Sequence, residues 1–399
     1  MRPLFIIMWE LVVVQHVLVA PDKFKGSLTA AEVAARVTAG LGVPTVELPV
    51  ADGGDGTVDA AVACGFERVT IEVTGPTGER VTASYAWHPG DATAVVELAE
   101  ASGLRRLPAG PEPLTATSHG TGELVAHAVR HGARRVVLGL GGSACTDGGA
   151  GLAQALGARL LDAEGRELPR GGAALRTLDR IDLSGFPDLS GVSFVVASDV
   201  DNPLLGPHGA AAVYGPQKGA TPDDVKVLES GLTRLAAVAT RTHGLMGAVE
   251  HDDIVRAMGV AGAPGAGAAG GVGFAALAFL HAEIRPGIDY LLGLLGFGEH
   301  AAGARLVITG EGSLDEQSLR GKAPIGVAQA AARAGVPVVA VCGRRTLSDA
   351  ELKAAGIEAA YALTDLEPDP ERCMAEAGPL LERLAAGIAA DRRLAEGTP

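Results

Sequence analysis

From residue 12 onward, apolar and polar positions follow two alternating periods, and the switches between them mark out the elements. An apolar run over 12–20 reads as the first buried strand. Thr29-Ala30-Ala31-Glu32 then opens a helix with a capping box, and Val33, Val37 and Leu41 form its i, i+4 stripe. A second strand over 46–50 runs into Ala51-Asp52-Gly53-Gly54-Asp55-Gly56-Thr57, followed by a helix that Gly65 closes. Over 68–98 the texture changes. Two β-branched runs, 69–73 and 81–85, flank Gly75-Pro76-Thr77-Gly78 as a hairpin, and a third run over 94–98 extends the sheet. Next come a helix over 121–131, a strand over 135–140, a glycine-crowded run over 139–151 and a helix over 152–161. A strand over 193–197 leads into Ser198-Asp199-Val200-Asp201-Asn202-Pro203, and residues 221–258 read as helical. The stretch 259–273 holds seven glycines and a proline; at about 1 kcal/mol per glycine relative to alanine, its first half is loop. The last third returns to alternation, with strands over 306–308 and 336–342 and a helix over 324–334. The whole is α/β, with a mixed or antiparallel middle portion.

Composition narrows the function. A chain of 399 residues with 47% hydrophobic positions has room for two domains and ample core. A net charge of −14 and only 4% aromatics argue against nucleic acid as a partner, which needs clustered cations or stacking platforms. Cys64, Cys145, Cys342 and Cys373 lie far apart without metal-ligand spacing, as in reduced thiols of a cytoplasmic enzyme. Glu10, Gln15 and His16 interrupt the apolar N-terminal stretch, so it reads neither as a signal peptide nor as a membrane span, and residues 1–11 read as an extension. In so acidic a chain, lysines beside glycines (Lys25, Lys218, Lys322) stand out as local positive charge for an anionic ligand.

The polar motifs sit where strands end. In the run 139–151, glycines let backbone amides approach an anion, and the helix start behind them adds unpaired donors. The amides of Gly141, Gly142, Ser143 and Gly148 are therefore candidates to hold phosphates; the plainer alternative is a tight strand–helix turn. Asp22-Lys23-Phe24-Lys25-Gly26-Ser27 follows the first strand and suits a carboxylate or phosphate through Lys25 and Ser27. Asp52 and Asp55, spaced by glycines, can reach Mg²⁺ or a hydroxyl, with helix capping as the competing role. Asp199 and Asp201 end an apolar strand, placed to take a proton or hold a metal; an Asx turn explains Asn202 better than Asp199. Thr117-Ser118-His119 reads as a capping turn with an exposed histidine and no catalytic role. Thr309-Gly310-Glu311-Gly312-Ser313-Leu314-Asp315 carries an acidic pair, followed by Arg320-Gly321-Lys322. No Walker-type phosphate loop, nucleophile elbow, His/Cys metal cluster or protein-kinase signature occurs. The one G-x-G-x-x-G, at 265–270, lacks a preceding strand.

Taken in order, six segments resemble the bacterial glycerate kinase family. They are Ala20 through Ser27, Ala51 through Thr57, Gly141-Gly142-Ser143-Ala144 with Asp147-Gly148-Gly149, Asp199 through Leu204, Gly267 through Gly271, and Thr309-Gly310-Glu311-Gly312 with Gly321 through Pro324. The resemblance runs from about residue 16 to 389. Lys23, where serine is frequent, and Cys145-Thr146, where Thr-Asn is usual, depart from the pattern. The resemblance implies ATP-dependent phosphorylation of D-glycerate with Mg²⁺, most often at the 2-hydroxyl. It also implies a Rossmann-like parallel-sheet domain (1–74 and 296–399) with a second, mixed-sheet α/β domain (75–295) inserted. On that reading Lys25 or Arg320 clamps the substrate carboxylate, with Ser27 beside it. Lys322 neutralises developing charge, Asp199 accepts the substrate proton, and Asp52 or Asp315 binds Mg²⁺. A kinase for another hydroxy or sugar acid and a non-catalytic sugar-acid sensor are the rival expectations. Neither a nucleic acid nor a membrane partner is expected, and the oligomeric state is left open.

Overall fold

A computed structural model of the chain describes residues 15–243 and 259–395. Its strands, in chain order among the described residues, are β1 His16–Pro21, β2 Thr45–Glu47, β3 Glu67–Thr74, β4 Arg80–His88, β5 Thr93–Glu97, β6 Arg135–Gly139, β7 Arg159–Leu161, β8 Arg180–Asp182, β9 Ser193–Ala197, β10 Glu283–Arg285, β11 Ala304–Leu314, β12 Val338–Arg345 and β13 Ala359–Ala362. They divide between two compact units. The first comprises Met1–Pro49, Gly296–Arg320 and Pro324–Pro399; the second comprises Val50–Leu295 and Gly321–Ala323.

The first unit is built on a five-stranded sheet ordered β13-β12-β11-β1-β2, with every pairing parallel. Thr29 caps the helix Ala30–Leu41 through the reciprocal box with Glu32 that the sequence predicts. Val33 and Val37 of that helix meet Val17 and Val19 of β1 and Leu381 and Ile388 of the helix Ala377–Asp391 in one buried cluster. Each such side chain contributes about 1.5–3 kcal/mol by leaving water. The chain passes from β1 to β2 on one side and from β11 through β12 to β13 on the other, so the order reverses between β1 and β11. In open α/β sheets the ligand crevice lies outside the carboxyl ends of the strands at such a reversal. Here Pro21, the end of β1, pairs with Gly310 of β11, which runs on to Leu314.

The second unit holds a six-stranded mixed sheet, β10-β9-β6-β5-β4-β3, and a two-stranded sheet of β7 and β8. β3, β4 and β5 are antiparallel neighbours, whereas β5, β6, β9 and β10 run parallel. One core lies on the large sheet, around Tyr85, Val96, Leu124, Leu138 and Val196. A second gathers Leu160, Leu175, Leu228, Leu232, Leu235 and Phe274 beneath the helix Pro222–His243.

The structure corrects several sequence expectations. The stretch 50–74, assigned from sequence to the first domain, packs with the second unit, because β3 pairs along β4 and the loop after Val50 lies on the end of β6. The helix expected over 152–161 is Ala150–Ala155; Gly157 then turns the chain and Arg159–Leu161 becomes β7. Within the helix Ala268–Phe279, Ala269, Gly270 and Gly271 are left-handed, so its regular part begins at Val272. Residues 12–14 of the first predicted strand and 244–258 of the predicted long helix lie outside the described residues. Among the described residues no helix is long and apolar enough to cross a membrane.

Candidate functional site

In the second unit, the polar site is built by backbone contact where β6 and β9 end. The loop Asp52–Gly56 crosses these ends so closely that only hydrogen fits on the facing glycines. A Cβ on Gly53 would lie 2.4 Å from the Ala197 carbonyl oxygen, and one on Gly141 would lie 2.4 Å from the Gly54 Cα. The Gly53 carbonyl accepts the Gly141 amide at 3.1 Å. Asp52 Oδ1 accepts the Gly54 amide at 3.1 Å, which fixes its carboxylate on the turn. Asp199, two residues past β9, accepts the Gly287 amide on Oδ1 at 2.9 Å, at the start of the helix Gly287–Leu294. Gly287 is the wedge between the two acids. A Cβ there would meet the Asp52 carbonyl oxygen at 2.5 Å and Asp199 Oδ2 at 3.0 Å. Partial desolvation lifts the Asp199 carboxyl above the ordinary carboxylate range; its bond to Gly287 acts the other way, and the Asp52 charge reinforces the rise. Asn202 is a brace, its amide donating to the His208 carbonyl at 2.8 Å and its oxygen accepting from the Tyr214 hydroxyl at 2.6 Å. Asp201, its neighbour, is exposed.

The glycine-crowded run is an anion cradle, but for an anion of this chain. Asp147 is fully buried, and its Oδ2 accepts the Ser118 amide (2.8 Å), the Ser118 hydroxyl (2.9 Å) and the Gly151 amide (3.2 Å), while Oδ1 accepts the Gly149 amide (3.0 Å). The donors expected to face a phosphate at the start of this helix are therefore committed to an internal carboxylate. The Gly148 amide also turns inward, donating to the Gly270 carbonyl at 2.9 Å. This contact joins the two glycine runs: a Cβ on Gly270 would lie 2.1 Å from the Cys145 carbonyl oxygen. Beneath the same turn, buried Lys218 donates from Nζ to Ser143 Oγ at 2.8 Å and to the Cys145 carbonyl at 2.6 Å. Burial lowers the lysine's pKa, and the nearby Asp147 charge works in the opposite direction. What the run leaves toward solvent is the bend at Gly141 and Gly142.

Three further residues differ from the sequence reading. His119, expected to be exposed, is mostly covered, with its Nε2 3.1 Å from an Arg170 guanidinium nitrogen; burial and then that charge lower its pKa. Neither Asp55 nor Thr57 caps the helix Thr57–Ala63. Its first amides, Gly56 and Val58, donate instead to Glu97 Oε2, each at 3.1 Å. Glu97 is the residue the motif reading passed over, and Asp147 is quoted there in the glycine-loop motif without a role. The signal for Glu97 is a lone carboxylate in the apolar run 94–98; for Asp147 it is an acid enclosed by residues with no charge to match it.

In the first unit, Pro21 and Gly310 bring the other loop pair together. The Asp22 amide donates to the Gly310 carbonyl at 2.8 Å, and buried Asp22 caps the Lys23 amide at 2.7 Å. Phe24 anchors the loop in the core, its amide bonded to the Leu28 carbonyl at 2.9 Å, so that Lys25 projects into solvent. Ser27 Oγ donates to the Phe24 carbonyl at 3.2 Å and closes this turn. Gly312 backs onto the Lys25 amide, and Glu311 is buried beside it. Asp315 holds its own bend, accepting the Gln317 amide at 2.9 Å and the Ser313 hydroxyl at 3.2 Å. Arg320 ends the short turn Ser318–Arg320; Lys322, in the segment Gly321–Ala323 that groups with the second unit, immediately precedes Ala323 of the helix Ala323–Arg333.

Parallel strands whose carboxyl ends carry acids, lysines and glycine turns define an α/β enzyme acting on a small polar molecule. The chain belongs to the glycerate kinase family, whose model matches residues 17–393. It is 42% identical to a glycerate kinase of Bacillus subtilis (strain 168), covering 95% of this chain and 98% of that protein. It is 44% identical to a glycerate 2-kinase of Escherichia coli (strain K12), covering 87% and 90% respectively. A crystal structure described as that of a glycerate kinase 2 from Salmonella typhimurium LT2 superposes with a TM-score of 0.81 at 40% identity, over 96% of this chain and all of that one.

Proposed function

We propose that this enzyme transfers the γ-phosphoryl group of ATP to the 2-hydroxyl of D-glycerate, giving 2-phosphoglycerate. The observation that carries the reading is Asp199. It is a carboxylate at the end of a parallel strand, held by a helix-start amide and raised in pKa beside Asp52. A carboxylate so placed accepts the hydroxyl proton as the new O–P bond forms and the bond from phosphorus to the ADP oxygen breaks. Its elevated pKa makes it a stronger base than an exposed aspartate.

Among the described residues no three His, Cys, Asp or Glu side chains converge as a metal site. The donor set around Gly287 is thus one or two carboxylates, which fits Mg²⁺ that arrives with nucleotide phosphates and keeps several of its own ligands. Asp52 is our choice to hold it, since it shares the Gly287 contact with Asp199, whereas Asp315 holds the Gln317 bend. Bound there, the ion would neutralise charge on the transferring phosphoryl group. Among the amides of Gly141, Gly142, Ser143 and Gly148, those of Gly141 and Gly148 donate within the chain and Ser143 is buried, so the phosphate role passes to Gly142 at the open bend. Lys25 is assigned to the substrate carboxylate, with Ser27 shaping its turn, and Lys322 supplies further positive charge.

Incubation with ATP, Mg²⁺ and D-glycerate, followed by phosphorus NMR, tests the product. The 2-phosphoglycerate coupling pattern is expected, and a 3-phosphoglycerate pattern overturns the regiochemistry. Asp199→Asn should lower kcat by about 10²–10⁴-fold, the usual contribution of a positioned general base, with thermal unfolding preserved. Near-normal turnover in that variant removes Asp199 from the role.

A further inference from the structure

We propose that Glu97 is a positioning residue for the catalytic loop, holding Asp52 in place through the Gly56 and Val58 amides and, by way of Arg105, through Asp55. The inference rests on the assignment of Asp52 above. Glu97 is the last residue of β5, 1% exposed, in register with Gly139 of β6. Its Oε2 takes both amides at 3.1 Å, and its Oε1 lies 3.4 Å from Arg105 Nη2. Arg105 extends its Nη1 to Asp55 at 2.8 Å, and its Nη2 also pairs with Glu100. The loop is therefore gripped on its far side by a carboxylate and a guanidinium. Its near side is fixed by the Gly53–Gly141 contact and the turn that Asp52 itself caps.

The grip depends on the charge of Glu97. Burial raises its pKa most; the Val58 bond lowers it, Glu100 raises it, Arg105 lowers it and Asp55 raises it, leaving the carboxyl at about 7. These groups face it from the helix Leu98–Ser102, the turn Leu104–Arg106 and the loop itself; Arg106 points to Glu100, 3.6 Å away. Below pH 7 Glu97 takes up a proton, the attraction to Arg105 is lost and both amide bonds weaken from charge-assisted to neutral. Stability runs the other way. A carboxyl raised in the folded state contributes stability that is fully present below the ordinary glutamate value and is lost as pH rises through 7. A residue that only stabilised the fold would make both properties move together.

The test is the apparent Mg²⁺ constant for glycerate phosphorylation, measured from pH 6 to 8 with the melting temperature alongside. In the wild-type enzyme Mg²⁺ binding should weaken by about tenfold as pH falls from 8 to 6, the scale of one charge-assisted bond made neutral, while the protein melts no lower. Glu97→Gln should bind Mg²⁺ weakly at every pH, with no step near 7. Arg105→Met, a change at a half-exposed side chain that leaves Glu97 in place, should move the step above 7, because the cation that favours ionised Glu97 is gone. Changes in ATP protonation are common to all three proteins and cancel in the comparison. Both variants following the wild-type curve would overturn the proposal. Asp52→Asn reports on the underlying assignment separately: if it leaves the Mg²⁺ constant unchanged, Asp52 is not the ligand, whatever the Glu97 variants do.

Discussion

Lys218 has almost no surface, and its ammonium is spent on the hydroxyl of Ser143 and the carbonyl of Cys145. Lysines are rarely enclosed so fully unless hydrogen bonds and a counter-charge offset the desolvation. Here the buried Asp147 provides the charge through the intervening loop. Lys218→Met would leave two acceptors unsatisfied, at about 1–3 kcal/mol each. The expected outcome is a melting temperature lowered by several degrees and a glycine turn that exchanges amide protons faster, measured by calorimetry and hydrogen exchange. A variant as stable as the wild type would show that the turn holds its shape without the lysine. The sequence drew attention to Lys218 as a ligand-facing charge; its place inside the turn was not legible. A lysine next to a glycine carries the same signature whether its neighbours are protein or phosphate.

At the level of elements, the strand-end loops were readable because their cause is local. The capping box at Thr29 and Glu32, the hairpin at Gly75–Gly78 and the strand over 193–197 all depend on neighbours within a few residues. What resisted reading was the use of donors by distant partners. A glycine run before a helix looks like a phosphate site from sequence, yet its amides are turned to Asp147 and to Gly270, a contact that spans more than a hundred positions. The short helix Ala150–Ala155 has its anion built in. Asp147→Ala should therefore be far more damaging than a surface change, costing several kcal/mol as five donors, the Thr117 hydroxyl among them, lose one acceptor. Far-UV circular dichroism and urea titration of the variant check this. A loss under about 1 kcal/mol would mean that water replaces the carboxylate. The bend at Gly142, by contrast, owes nothing to Asp147 in the bonds described and keeps its candidacy for the ligand.

At the scale of the molecule, each unit closes its own apolar core, one around the parallel sheet of β1 and β11 and the others around the mixed sheet and the helix Pro222–His243. Separate cores need not melt together. The calorimetric enthalpy of unfolding is expected to exceed the van't Hoff value, and Asp147→Ala should lower the transition of the second unit alone. A single transition with equal enthalpies would mean that the chain unfolds as one. The sequence reading puts the first boundary at 74, whereas the compact unit ends at Pro49. Residues 50–74 continue the strand–helix rhythm of the N-terminus, and rhythm does not say which sheet a strand joins.

The pairing of β1 with β11 also sets a timetable during synthesis. Thr309 closes its hydroxyl bond on the Ala20 carbonyl from 289 positions away. At translation rates of about 5–20 residues per second, β1 waits roughly 15–60 s for the strand that completes its sheet. Throughout that interval the second unit emerges as a continuous stretch and can fold, while an apolar N-terminal strand remains without its main partner. The nascent chain thus carries an apolar strand with one edge unpaired until β11 has been made. Ribosome-bound intermediates arrested shortly before residue 304 are where a holdase chaperone has most to cover.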